Sequence, residues 1–303
     1  MTASAYTLSA KVLICGASGQ VGHALAELLE KTPGMEPVAL SRRQLDITSA
    51  AAVQQQLERH LPDYVVNCAA FNRVDAAERQ PEQAFAVNRD GPACLARACA
   101  ELGIPLLHLS SDYVFDGHYA SGYSEGDDAA PLGVFGTSKW EGEEQVRRLQ
   151  PQHLILRTSW IFSARGHNFL LKILEQARHE TVIEAADDRR GCPTSAEDVA
   201  RVILAILRQL TCGIDVWGTY HYCGAEITTR YGFSEAILAA VRQYEDLQVE
   251  TLKAVSTADL HAQAERPASS VLKCRKLLST FGIRQHPWRS ELQRVIREVY
   301  GES

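Results

Sequence analysis

The sequence predicts an α/β protein built on a doubly wound, mostly parallel sheet. Three observations carry that reading. Short β-rich apolar runs alternate with amphipathic helical stretches, a glycine triplet falls between the first run and the first helix, and the runs are near-continuously apolar. Continuous apolar character suits strands covered by helices on both faces. A repeated β-α-β-α order is the pattern of a doubly wound sheet.

The strand candidates are KVLICG (11–16), PVALS (37–41), YVVNCAA (64–70), PLLHLSS (105–111) and HLILRTSWIF (153–162). Between them lie GHALAELLEK, TSAAAVQQQLERH and PEQAFAVNRDGPACLARACAELG, each with helical periodicity. In the first of these, Ala24, Leu25, Leu28 and Leu29 fall on one stripe, as docking on a sheet requires. The stretch KWEGEEQVRRLQ predicts a helix opened by Lys139. After about residue 165 the rhythm loosens into a helix (FLLKILEQARHE), the segment TVIEAADDRRGCPT, a helix (SAEDVARVILAILRQL), a strand (TYHYCG) and further helices.

Composition narrows the function. The chain has 303 residues, 46% hydrophobic and 22% charged, as in soluble globular proteins. A net charge of -6 and the lack of any basic run longer than two residues argue against nucleic acid or an anionic membrane as partner. The eight cysteines form no C-x-x-C pair, and several sit in apolar runs as small hydrophobes. The opening MTASAYTLSA lacks the charged and apolar regions of a secretion signal, and no apolar run approaches the ~18 residues of a membrane span. A cytoplasmic protein is expected.

The loop KVLICGASGQVGHALAELLEK sets Gly16, Gly19 and Gly22 at G-x-x-G-x-x-G spacing, with Ser18, Gln20 and Val21 between them. A tight turn there brings backbone close to a pyrophosphate, where free N–H groups and the helix dipole favour anions. No Gly-Lys-Ser/Thr follows, which excludes a P-loop. About twenty residues on, VALSRRQLDITS offers Ser41, Arg42 and Arg43 and no acid before Asp46. A guanidinium suits a 2′-phosphate where an acid would hold a 2′-hydroxyl. The expected cofactor is NADP(H), with NADPH preferred over NADH.

The motifs GASGQVG, LDITS, PDYVVNCAAFNRVDAAE, LSSDYVFDG, the lysine of FGTSK, RTSWIF, GCPTSAEDVA and RPASSVL occur in that order. Over residues 11–299 the chain resembles the dTDP-4-dehydrorhamnose reductases, a branch of the extended short-chain dehydrogenase/reductases. The resemblance implies NADPH-dependent reduction of the C4 ketone of a dTDP-linked 4-dehydro-6-deoxy sugar, in dTDP-L-rhamnose biosynthesis. That family's catalytic set is Ser/Thr, Tyr and Lys. Its hydroxyl residue falls on Ser111 and its lysine on Lys139, but the tyrosine of Y-x-x-x-K falls on Phe135. A phenol lowered by a nearby ammonium is an effective acid; a phenyl ring is not. Losing a positioned general acid typically costs on the order of 10²–10⁴ in rate. Tyr113, the Ser111 hydroxyl and a lysine-bound water stay open as substitute donors.

The resemblance also implies roles for other residues. Lys139 would bond the nicotinamide ribose, Asn67, Ala69 and Ala70 would line the ribose side, and Asp46 and Ile47 would approach the adenine. Asn88 matches the family's helix asparagine. Asp112, Tyr113 and Trp160 would face the sugar, and Asn168, Phe169 and Arg266 the nucleotide diphosphate. Arg189 stands where the family usually has glutamine. Two readings remain: a reductase, attenuated or using another donor, and a non-catalytic NADP(H)- and sugar-nucleotide-binding regulatory protein. A homodimer, common in the superfamily, is left open.

No metal site is expected, because the ten histidines form no H-E-x-x-H and no zinc-spaced Cys/His cluster. His221 and Cys223 read as core, while SEGDDAAP (124–131) and DDRR (187–190) read as loop charge. The organisation that follows is a lead-in (1–10), an NADP(H)-binding Rossmann-type domain (11–165) to which 195–224 returns, and a sugar-nucleotide subdomain (166–194 and 225–303).

Overall fold

Strands β1 (Ala10–Cys15), β2 (Met35–Leu40), β3 (Tyr64–Asn67), β4 (Leu106–Ser111) and β5 (His153–Thr158) form a parallel sheet in the computed structural model, which describes residues 9–260 and 263–302. Most of the expected lead-in lies outside the described residues. A sixth strand, β10 (Gly218–His221), adds to β5, giving the order β2-β1-β3-β4-β5-β10. The chain leaves β1 for β2 on one side and returns to β3 on the other. That reversal opens a crevice at the carboxyl ends of β1 and β3.

Alternate residues of a strand face opposite sides, which explains the continuous apolar runs. Val12 and Ile14 pack with Val66, Leu154 and Leu156 under helices α1 (Gln20–Glu30) and α8 (Ala196–Thr211). Leu13, Cys15, Val65, Leu106 and Ile155 pack under α2 (Ala50–His60), α5 (Gly91–Leu102) and α6 (Val134–Leu149). Each fully buried aliphatic chain contributes about 1.5–3 kcal/mol. Helix α8 starts where Ser195 Oγ accepts from Asp198 N at 3.0 Å, with Glu197 and Asp198 in its first turn, both favourable to a helix N-terminus.

The long helical run after β3 is α3 (Val74–Arg79), α4 (Pro81–Phe85), a π-turn at Ala86–Asp90 and then α5. Single π-turns inside helices recur at functional sites. Helix α6 begins at Val134, whose N–H donates to Glu78 Oε1 at 2.8 Å. Lys139 therefore lies in the second turn of that helix rather than at its opening, because the acid that receives the start comes from a distant part of the chain.

The run 153–162 also departs from expectation. It divides at Trp160, which has a left-handed φ of 46°. Beyond it β6 (Ile161–Phe162) leaves the main sheet to pair with β9 (Thr194–Ser195). The remaining elements are α7 (Phe169–His179), β7 (Val182–Ala186) paired with β12 (Thr251–Val255), β8 (Arg190–Gly191) paired with β11 (Thr228–Thr229), α9 (Arg230–Val241), α10 (Arg275–Phe281) and α11 (Trp288–Val299). Phe162, Ile173, Phe233, Trp288 and Leu292 make their separate core. Among the described residues no helix is long and apolar enough to cross a membrane.

Candidate active site

Gly16 opens the crevice with φ +75°, and a Cβ there would lie 2.7 Å from the backbone of Ala69. At Gly22 a Cβ would meet Gly16 O at 2.4 Å. Glycine is required at both positions for the loop to pass between β3 and α1. The start of α1 carries no side-chain cap and no acid in its first turn, so its N–H groups face the crevice undimmed. Gly16, Ser18, Gly19, Arg42, Asp46, Ile47, Ala69 and Ala70 line a cavity of about 240 Å³. Hydrogen bonds from Thr48 hold the Asp46 carboxyl below the usual range. A glycine cradle, an uncapped helix start and a flanking guanidinium fit a phosphorylated dinucleotide.

One strand along, Ser111 ends β4. Its hydroxyl donates to Asp112 Oδ1 at 2.9 Å and accepts from Tyr113 N at 3.2 Å. Asp112 is buried, its Oδ2 has no well-formed hydrogen bond, and desolvation pushes its pKa up to about 6. Lys139 is buried too, and its Nζ donates to Leu109 O at 2.7 Å. Desolvation lowers its pKa to about 8, opposed by the charge of Glu143. Glu143 is in turn held by Arg157 at 2.7 Å and Arg147 at 2.5 Å, with the Arg157 guanidinium 5.0 Å above the Phe115 ring. The Phe135 ring is 6% exposed and packs among Ala77, Ala84, Phe71, Val74 and Tyr113. A Cβ on Gly136 would meet Tyr113 O at 2.2 Å, so α6 lies directly against the 112–114 turn.

A second cavity, of about 1170 Å³, is bordered by Tyr113, Trp160, Phe169, Arg189, Arg230, Arg266 and Ser270. Its lining holds seven basic side chains against three acidic ones, which favours an anionic ligand. The Arg230 guanidinium lies 3.7 Å from the Trp160 ring centre and 4.5 Å from that of Phe169. It makes no salt bridge among the described residues, and desolvation lowers its pKa to about 10, opposed by Tyr113 and Asp112. Gly191 makes room for the indole: a Cβ there would fall 2.3 Å from Trp160 Cε2.

The sequence profile of the RmlD substrate binding domain matches residues 10–300. The chain belongs to that family. It is 37% identical over 288 residues to a dTDP-4-dehydrorhamnose reductase of Sinorhizobium fredii, covering 94% of this chain and 96% of the relative. A dTDP-4-dehydrorhamnose reductase structure from Clostridium acetobutylicum superposes with a TM-score of 0.89 at 31% identity, covering 96% of this chain and 99% of the other. One from Bacillus anthracis in complex with NADP gives 0.86 at 31% identity, with 96% and 99% covered.

Within this RmlD-type frame, several residues expected at the ligands also bond to the scaffold. Asn67 is fully buried; its Oδ1 accepts from Ala69 N at 3.0 Å and its amide meets His108 Nδ1 at 3.0 Å, so it shapes the ribose-side loop from beneath. Ser41 donates to Gln44 Oε1 at 2.6 Å, and Arg43 is exposed outside the crevice lining. Val21 is core, and Gln20 Oε1 receives Ser163 Oγ at 2.8 Å and Asn168 Nδ2 at 3.0 Å. The Asn168 amide also donates to Ser163 O and Arg165 O while its Oδ1 caps α7, leaving it a loop-holding residue at the cavity wall. Asn88 clamps Phe71 N at 2.8 Å and Ser138 Oγ at 3.0 Å from the π-turn. Arg266 is paired with Asp75 at 2.6 Å.

The two stretches read as loop charge are anchored. Asp188 accepts from Thr257 at 2.6 and 2.8 Å, Arg189 Nε donates to the same residue, and Glu125 Oε1 receives His221 N at 3.0 Å. The grouping Asp198, His286 and Glu291 has metal-type ligand atoms, but Arg201 already bridges both carboxylates at 2.8 and 2.9 Å. Sequence reasoning missed Arg230. The available signal was a cation at the first position of a helix, where the dipole disfavours it.

Proposed function

We propose that the chain is an NADPH-dependent 4-ketoreductase of a dTDP-linked 4-dehydro-6-deoxy sugar, acting in dTDP-L-rhamnose biosynthesis. The observation that carries the reading is the adjacency of the glycine-lined crevice and the cation-rich cavity, which share Asn72, with Tyr113 on the cavity wall and the buried Lys139 bonded to Leu109 O on β4, two residues before Ser111. The relatives' shared name as dTDP-4-dehydrorhamnose reductases supports the substrate class, and the NADP held by the Bacillus anthracis structure supports the cofactor. The preference for NADPH rests on Arg42 at the crevice wall, with no acid before Asp46 to hold a bare ribose hydroxyl.

Bound NADPH supplies a hydride to the carbonyl carbon. The chain's own residues do the rest. Gly16, Ser18, Gly19 and the start of α1 bind the diphosphate, and Ala69 and Ala70 leave room for the ribose. Lys139 places a cation beneath the nicotinamide end. Arg230, held against Trp160 and Phe169, meets the diphosphate of the sugar nucleotide, with Arg189 and Arg266 beside it. Tyr113 and Trp160 border the sugar.

Phe135 alone favours the second reading, a ligand-binding regulatory protein, since it puts an apolar ring at the acid's position. Mixing the protein with NADPH and dTDP-4-dehydro-6-deoxy-L-mannose separates the two. Loss of NADPH with formation of dTDP-L-rhamnose supports the reductase. Tight binding of both ligands without turnover, in this chain and in Phe135→Tyr alike, supports the regulatory protein.

A further inference from the structure

We propose that Asp112 is the proton source that stands in for the absent phenol, delivering through the Ser111 hydroxyl to the substrate's carbonyl oxygen. The proposal rests on the reductase reading above and adds to it a named donor path.

Geometry comes first. Ser111 is the hydroxyl at the edge of β4, and its Oγ is fixed from two sides, by Tyr113 N at 3.2 Å and by Asp112 Oδ1 at 2.9 Å. Asp112 is only 2% exposed, and its second oxygen is buried with no well-formed hydrogen bond, although the Ser270 hydroxyl stands near the carboxyl. An ionised carboxylate with a poorly bonded buried oxygen is costly, whereas a protonated carboxyl has less to satisfy. The carboxyl therefore has a structural reason to keep a proton. Burial points the same way, moving its pKa up to about 6 against the pull of Ser270, Ser111 and the Arg230 charge.

The groups facing this carboxyl are Ser111 on β4, Ser270 on the cavity wall, Arg230 at the start of α9 and the neighbouring phenol of Tyr113. Arg189 and Arg266 act on its neighbours Tyr113 and Arg230. Tyr113 is the weaker candidate. Burial raises its pKa above the ordinary phenol value, and its charged neighbours are Asp112 and the arginines of the sugar-nucleotide cavity. Lys139 already commits one N–H to a hydrogen bond with Leu109 O.

The relay balances without a further reactant. With the carboxyl protonated on Oδ1, the bond between Asp112 and Ser111 runs from acid to hydroxyl. As the carbonyl oxygen gains negative charge, the Ser111 O–H bond breaks and the new substrate O–H bond forms, while the Asp112 proton moves to Ser111 Oγ. Asp112 is left as carboxylate and regains its proton from water. No electrons move along the relay.

Asp112 acts through Ser111, so it is a positioning and proton-supplying residue, and its test needs more than a loss of rate. kcat/KM is measured against pH for the protein as it stands, Asp112→Asn, Phe135→Tyr and the double variant, with NADPH affinity titrated for each. The expected result is a fall in rate as pH rises through about 6, which disappears in Asp112→Asn. Asp112→Asn is expected to lose about 10²-fold with NADPH affinity retained, and to lose at least about tenfold less once Phe135→Tyr supplies a phenol. An equal loss in both backgrounds would overturn the relay, as would a pH profile unmoved by Asp112→Asn. If only Phe135→Tyr turns over, the reductase reading stands and the relay falls. If no form turns over, the reductase reading itself fails.

Discussion

The ring of Tyr113 meets that of Phe135 edge-on, with centroids 5.4 Å apart and planes inclined at 75°. A phenylalanine thus holds its place by packing, in a pocket of Ala77, Ala84, Phe71 and Val74, and its ring carries no acidic proton. Phe135→Tyr adds one hydroxyl on the helical turn before Lys139 and should raise kcat by at least about tenfold, since a positioned general acid is typically worth 10²–10⁴. Steady-state NADPH oxidation checks it. Phe135→Ala instead removes a buried ring and should cost about 3–5 kcal/mol in chemical denaturation.

Lys139 is expected to weaken the fold it serves. Its folded pKa, about 8, lies below the ordinary 10.5, so the folded state favours the neutral amine. Between those values the unfolded chain holds the proton and the folded one does not, so stability rises with pH across that window. Below 8 both states are charged and the penalty is constant, about 3 kcal/mol before the Leu109 hydrogen bond is set against it. Lys139→Met should therefore stabilise the ligand-free protein by about 1–3 kcal/mol at pH 7. That gain should shrink as pH rises from 8 to 10.5, while activity is lost. Urea denaturation at several pH values measures it, and a destabilised Lys139→Met at pH 7 would contradict it.

Arg42 and Arg43 should separate. Arg42 lines the crevice and Arg43 does not. Arg42→Ala is expected to weaken NADPH by about tenfold or more, roughly the worth of one charge-assisted phosphate contact, and to leave NADH nearly unchanged. Arg43→Ala should have a much smaller effect. Calorimetric titration with both cofactors reads the four affinities.

Arg230 carries the sugar-nucleotide diphosphate in this account. Arg230→Ala should raise KM for the substrate by about 10–100-fold, the range for a hydrogen-bonded charge lost from a buried site, with NADPH affinity unchanged. Arg230→Lys should recover little of it, because stacking between Trp160 and Phe169 needs a flat guanidinium.

Much of this was legible in the chain. Residues 12–15 are apolar on both faces because Val12 and Ile14 meet α1 and α8 while Leu13 and Cys15 meet α2 and α5, and that doubling announces a covered parallel strand. The glycine spacing located the crevice because its cause, close passage of Gly16 by Ala69, is local to one turn. Other features depend on distant partners. Trp160 breaks the run 153–162 only because Gly191 clears space for its indole. Lys139 sits inside a helix whose start is set by Glu78. Asn168 lines the large cavity, and its amide is also bonded to Gln20 and the 163–165 backbone, which only the fold brings to it. Arg230 becomes a site residue only when Trp160, Phe169 and Tyr113 arrive around it.

Isotope transfer reaches the core of the proposal. NADPH deuterated at the nicotinamide C4 is incubated with dTDP-4-dehydro-6-deoxy-L-mannose and the protein, and the sugar product is examined by mass spectrometry and NMR. Deuterium bonded to C4 of a newly formed dTDP-L-rhamnose is the expected result. Unchanged ketone beside intact deuterated cofactor, with both molecules bound, would contradict it.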